Sequence, residues 1–122
     1  MTRNPIHPVA GHRQLAGGEV VFHEGDHGGE MFVVQSGLIH ITKAFGGEER
    51  VLAELGPGEF FGEMAILNNE PRNATARAAS PSVLLVYDKD TFEQMLMNNP
   101  NVAVRMVHKL AERLRRTNDM IH

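Results

Sequence analysis

The chain has 122 residues, 42% of them apolar and 22% charged, with a net charge of −3 and no cysteine; that composition suits one globular domain with a sizeable core and leaves no length for a second. The lack of cysteine excludes disulfides, thiolate zinc sites, iron–sulfur clusters and thiol redox chemistry. No stretch approaches the roughly 20 apolar residues a membrane span needs, and the segment from Met1 to Arg13 lacks the apolar run of a secretory signal, so the chain reads as cytoplasmic.

All 12 glycines fall between Gly11 and Gly62. They cut the first half of the chain into short segments rich in β-branched and aromatic residues, which predicts strands at 19–23, 30–36, 38–45 and 49–55. A further strand ends at Gly62, and two more are predicted at 74–79 and 83–87. Short strands at such regular spacing suggest a small antiparallel barrel or jelly roll. No internal repeat and no low-complexity tract interrupts the pattern.

After Asp88 glycine disappears and helical spacing takes over. One helix is predicted over 91–97, stopping near Asn98-Asn99-Pro100, and a second opens at Asn101 as N-cap and runs to the chain end. Its apolar stripe is Ala103, Val107, Leu110, Leu114 and Ile121, narrow enough for a coiled-coil seam, with Thr117 at the polar position between the last two. Thr117 is either part of a frayed helix end or a side chain facing a ligand or a partner subunit. Residues 1–100 carry 7 basic and 13 acidic side chains, and residues 101–122 carry 5 and 2. The acidic body disfavours nucleic acid, and Lys109, Arg113, Arg115 and Arg116 read as solvated helix charges, since no helix-turn-helix pattern accompanies them.

Catalytic signatures are weak. His23-Glu24-Gly25-Asp26-His27 matches H-E-x-x-H, but zinc ligation by that motif requires a helix, and the surrounding glycines predict a turn. The remaining histidines, His7, His12, His40, His108 and His122, are scattered, so no metal site is expected. Ser36, Ser80 and Ser82 lie in no G-x-S-x-G turn, and no G-x-x-x-x-G-K-[ST] loop is present. The chain reads as a binder and not an enzyme.

The informative stretch is FFGEMAILNNEPRNATARA, from Phe60 to Ala78. Glu63 to Leu67 are long enough for one or two helical turns, whose free N–H groups would make an anion site. Pro71 forces Glu70 extended and delivers Arg72 ten positions after Gly62, where it can fold back over that helix N-terminus. One guanidinium with helix-end amides balances about one negative charge, as on a phosphodiester; a triphosphate would need more cations or a metal. A carboxylate at Glu63 repels phosphate but accepts from a hydroxyl. A cyclic nucleotide presents both groups, a singly charged ester and a free ribose 2′-hydroxyl.

At these residues the sequence resembles the cyclic nucleotide-binding domain family of catabolite activators, protein kinase A regulatory subunits and cyclic nucleotide-gated channels. Phe61-Gly62-Glu63-Met64-Ala65-Ile66-Leu67 and Pro71-Arg72-Asn73-Ala74-Thr75 match its phosphate-binding cassette, F-G-E-x-A-x-L…P-R-x-A-T. The likeness extends from about residue 12 to 120, taking in the turns Gly25-Asp26 and Ser36-Gly37 and the Pro57-Gly58 step before the cassette. It implies a mainly β fold with C-terminal α: an eight-stranded antiparallel jelly-roll barrel, a short cassette helix and C-terminal B and C helices. It further implies that Arg72 binds the phosphate and Glu63 the ribose, with backbone help near Gly62, Met64 and Ala65. Asn73 stands where related kinases carry alanine for cAMP or threonine for cGMP, and so decides nothing. Thr117-Asn118 resembles the Thr-Ser pair by which catabolite activators meet adenine across a dimer, which favours cAMP over cGMP.

The expectation is therefore a single sensor domain over 1–122, with a jelly roll over about 12–88 and helices over about 90–121, and with no cofactor besides its nucleotide ligand. Ligand would reposition a helix pair packed through Phe92, Met95, Leu96, Met106 and Val107. Partners would be the nucleotide and either a second copy through the C-helix or a regulated protein. The helix-turn-helix domain of the family's transcription factors and the pore of its channels are not in this sequence. The competing reading is a ligand-free jelly-roll module for protein–protein interaction or dimerisation.

Overall fold

A computed structural model of the chain describes residues 9–121, with side chains described as far as Arg116. It divides into two compact units, Val9–Asp90 and the helical residues from Thr91 onward. The first unit contains β1 (Gly11–Leu15), β2 (Val20–Phe22), β3 (Met31–Ser36), β4 (Ile39–Phe45), β5 (Glu48–Leu55), β6 (Phe60–Phe61), the short helix α1 (Met64–Leu67), β7 (Thr75–Ala78) and β8 (Ser82–Tyr87). These strands form two four-stranded sheets, ordered β1-β8-β3-β6 and β2-β7-β4-β5, with every pair antiparallel. The fold is mainly β, with the predicted eight strands and C-terminal helices.

Alternation explains the sheets. In β7 and β8 every second residue is buried, placing Ala76, Ala78, Leu84 and Val86 in one interior with Leu15, Val21, Phe32, Val34, Ile39, Leu55 and Phe61. Ala76 and Ala78 contribute almost no bulk, which leaves room for the aromatic residues around them. Strand pairing shifts register where β2 meets β7 between Val20 and Phe22, where β3 meets β8 between Val34 and Ser36, and where β4 meets β5 between Ile41 and Thr42. In the first, the extra residue is Val21 on β2, and Val21 and Phe22 both pack on the core; in the last, the extra residue is Leu52 on β5.

β1 was not among the predicted strands. Its sequence GHRQL buries only Leu15, and its pairing along the outer edge of β8 supplies main-chain bonds without needing an apolar pattern. β6 is two residues long, both buried, and ends at Gly62 as expected. The H-E-x-x-H match lies in a turn closed by His23 N–H to Asp26 Oδ2 at 2.9 Å and Asp26 N–H to His23 O at 3.1 Å, not in a helix.

In the second unit α2 (Lys89–Asn98) and α3 (Pro100–Ile121) meet at Asn99, whose carbonyl accepts from Val102 N–H at 2.9 Å and Ala103 N–H at 3.3 Å. The helix thus opens two residues earlier than the sequence suggested, with Asn99 in place of Asn101 ahead of the first turn and Pro100 in the first helical position, where its missing N–H costs nothing. Phe92, Met95 and Met106 are buried and Leu96 partly so, but Val107 is 62% exposed and does not join that packing. Among the described residues no helix is long and apolar enough to cross a membrane.

Candidate anion-binding site around Arg72

The site is built on the return from α1 to β7. Pro71 carries the chain into Arg72, whose main chain is fixed at both ends by the β2–β3 connection: Arg72 N–H donates to Asp26 O at 2.8 Å, and Gly25 N–H donates to Arg72 O at 2.7 Å. The backbone therefore has no freedom to swing outward, and the side chain runs into the barrel, where Arg72 is 7% exposed. Nη1 donates to the carbonyl of Gly62 at 3.0 Å. The guanidinium carbon lies 4.2 Å from the centroid of the Phe22 ring and 5.9 Å from that of Phe32. Phe22, Phe32 and Phe61 pack together, with centroids 5.2 to 6.0 Å apart, so this aromatic floor is itself rigid.

Burial lowers the pKa of Arg72 from the very high value ordinary for a guanidinium, because desolvation disfavours the cation. The carboxylates of Glu30, Asp26 and Glu63 act in the opposite direction. Starting from so high a value, the group stays a cation at neutral pH. Its Nε is buried and has no hydrogen-bond partner among the described residues.

Gly62 is placed by chemistry only glycine allows. Its φ is +81°, and a Cβ there would come within 2.9 Å of Arg72 Nη1. The left-handed turn sends the chain directly into Glu63, which is 8% exposed and occupies the N-cap position of α1 in a helical conformation, with no side-chain cap bond. The Glu63 carbonyl accepts from Ile66 N–H at 3.0 Å and Leu67 N–H at 2.9 Å. Glu63 and Arg72, nine positions apart in sequence, are thus both buried, and the carboxylate acts electrostatically on the guanidinium.

The expected ring of helix amides is smaller than the sequence suggested. α1 is four residues long, and Ala65 N–H is already directed at Gly62 O, at 3.4 Å, the same oxygen that takes the Arg72 bond. Ala65 is buried, Met64 and Gly62 partly so, and Asn73 exposed. Thr117 and Asn118 fall within α3, and their side chains lie outside the described residues. Sequence reasoning missed Phe22, Asp26, Gly28 and Glu30 as neighbours of Arg72. A Cβ at Gly28 would meet Arg72 Nη2 at 2.7 Å. The signal for Gly28 was present as the Gly28-Gly29 pair, but only the main-chain bonds joining the β2–β3 connection to Arg72 reveal what it faces.

Residues 12–99 match the family model of the cyclic nucleotide-binding domain. The chain is 38% identical over 99 residues to the cyclic AMP receptor protein of Thermus thermophilus, covering 80% of this chain and 46% of that protein. Among solved structures, the catabolite activator protein of Thermus thermophilus superposes with a TM-score of 0.80 at 36% identity, over 88% of this chain and 51% of that one. The regulatory domain of Toxoplasma gondii PKA, solved with cAMP, superposes with a TM-score of 0.65 at 38% identity, over 70% of this chain and 33% of that one. The chain spans about half the length of these relatives, 46% of that receptor protein and 46% of a CRP-like cAMP-activated global transcriptional regulator of Mycobacterium tuberculosis.

Gly62→Ala should lower stability by about 1–3 kcal/mol, the order of cost for a non-glycine residue held at such a φ, with displacement of the Arg72 side chain in addition. Urea unfolding followed by circular dichroism measures it; a midpoint equal to that of the unmodified chain would show that the turn relaxes without cost.

Proposed function

This chain belongs to the cyclic nucleotide-binding domain family, and from that premise we propose that residues 1–122 act as one regulatory sensor, binding cAMP in preference to cGMP and transmitting occupancy through α2 and α3. The reading rests on the buried Arg72 guanidinium, fixed against Gly62 O at 3.0 Å, in one site with the buried carboxylate residue Glu63. A single desolvated cation matches a single phosphodiester charge and binds it more strongly than it would in water. Glu63 then accepts from the ribose 2′-hydroxyl, a group that a 3′,5′-cyclic ester leaves free. Gly62, Met64 and Ala65 contribute main chain around the phosphate, and Asn73 flanks it.

The preference for cAMP is carried by Thr117 and Asn118, through their resemblance to the adenine-contacting pair of catabolite activators. A homodimer through α3 is the proposed assembly, supported by the exposure of Val107 (62%) and Leu114 (63%) on one coiled-coil stripe. The module itself performs no chemistry on the nucleotide, and cytoplasmic placement follows from where cyclic nucleotide is available to it. Transmission requires that the ligand bind one arrangement of the helices better than another, because equal affinity would shift nothing.

Calorimetric titration with cAMP and cGMP tests the reading directly. Arg72→Ala should weaken binding by about 2–5 kcal/mol, the usual loss on removing one member of a buried charge pair, while the protein remains folded; wild-type affinity in that variant would remove Arg72 from the site. Thr117→Ala should weaken cAMP more than cGMP, and equal losses would end the argument for adenine. Amide shifts in α2 and α3 should change on saturation with cAMP in NMR spectra; helices whose signals stay put would exclude transmission through them.

A further inference from the structure

The guanidinium of Arg72 is bounded on more sides than ligand binding requires. The Phe22 ring lies 4.2 Å from its central carbon. Gly62 adjoins Nη1, both through the 3.0 Å bond from Nη1 to its carbonyl and through the 2.9 Å approach of a notional Cβ. Along the remaining Nε and Nη2 side runs the main chain at Gly28, where a Cβ would fall 2.7 Å from Nη2 and 3.3 Å from both Cζ and Nε. That approach is closer than any side chain tolerates. Gly29, the next residue, has nothing within 4 Å of such a Cβ.

Neither glycine has the left-handed φ that would by itself demand glycine. Turn geometry therefore does not explain the pair, and proximity to Arg72 separates one from the other. The loop that carries Gly28 is also tied to the main chain of Arg72 through Gly25 N–H and Asp26 O, at 2.7 and 2.8 Å, so loop and arginine form one mechanical piece.

We infer that Phe22 and Gly28 are positioning residues: the aromatic face and the bare Gly28 main chain clamp the Arg72 guanidinium in the orientation it presents to an anionic ester. This rests on the cyclic nucleotide reading for the identity of the ester, but the clamp itself is a property of the ligand-free chain. Phe22 attracts the cation through its ring quadrupole, an interaction strengthened by desolvation. Gly28 acts by having no side chain. Any Cβ there pushes on the far end of a flexible arginine and not on the core, so the fold absorbs the substitution while the cation moves.

Gly28→Ala and Gly29→Ala form the test pair, assayed by titration with cAMP and by thermal unfolding. Gly28→Ala should weaken cAMP binding by roughly tenfold to a hundredfold, the order lost when a hydrogen bond to a charged group is spoiled, with little change in melting temperature; Gly29→Ala should stay within about twofold of the unmodified protein. In an Arg72→Lys background, where Nη2 no longer exists, Gly28→Ala should have almost no further effect. Phe22→Tyr should keep affinity, and Phe22→Leu should lose it severalfold. An independent readout needs no ligand: the Arg72 Nε–Hε resonance should move in Gly28→Ala and not in Gly29→Ala. Wild-type affinity in Gly28→Ala, an equal loss in the Arg72→Lys background, or an unmoved Arg72 resonance would each overturn the clamp. If the unmodified protein bound neither cAMP nor cGMP while the resonance still responded to Gly28→Ala, the nucleotide reading would fall and the clamp would stand.

Discussion

Burying the guanidinium of Arg72 removes a cation from water, which costs several kcal/mol even after the surroundings relax, and much of the first unit is arranged to offset that cost. The aromatic floor of Phe22, Phe32 and Phe61 supplies a polarisable face, Gly62 supplies a carbonyl, and Glu30, Asp26 and Glu63 supply a negative field. Each of these depends on a distinct piece of backbone. The aromatic residues come from β2, β3 and β6, the carbonyl from a turn that only glycine makes readily, and the field from the β2–β3 connection and the start of α1.

An arginine so enclosed is a better receptor for one anion than a flexible surface arginine. Its side-chain entropy has already been lost in folding, so less is lost when ligand arrives. Its charge works in a medium of lower effective permittivity, where a nearby phosphate oxygen interacts more strongly. The same features set an upper limit: with carboxylates at positions 26, 30 and 63 around a single guanidinium, a multiply charged phosphate meets repulsion that a phosphodiester does not. On the proposed cyclic nucleotide reading, those electrostatics would favour a singly charged ester.

How much of this was written plainly in the sequence depended on how local the cause was. Strands β3, β4, β5, β7 and β8 were legible because their apolar residues lie between glycine or proline turns, and the cassette was legible because Gly62, Glu63 and Arg72 keep a recognisable spacing. β1 was not, since its three central residues are polar and exposed and its order comes from a partner some 70 positions away. That Ala65 N–H and Arg72 Nη1 share the Gly62 carbonyl is a matter of tertiary placement and has no local sequence signal. Val107 was assigned to a packed helix pair on period alone, and the period does not say which of two adjacent stripes is covered. Phe22 and Gly28 escaped for the opposite reason: each looks ordinary in its own segment, and only the tertiary approach of Arg72 to the Phe22 ring and to the β2–β3 connection singles them out.

The register change in β2 has an evolutionary consequence. In an unbroken strand, neighbours point to opposite faces, and Val21 in the interior would send Phe22 outward. The irregularity between Val20 and Phe22 lets both face inward, so the aromatic support of Arg72 hangs on one extra step of chain. Insertions and deletions should accordingly be purged from residues 20–22 in functional descendants of this gene, while the Gly46-Gly47 hairpin, whose glycines meet nothing, is free to lengthen.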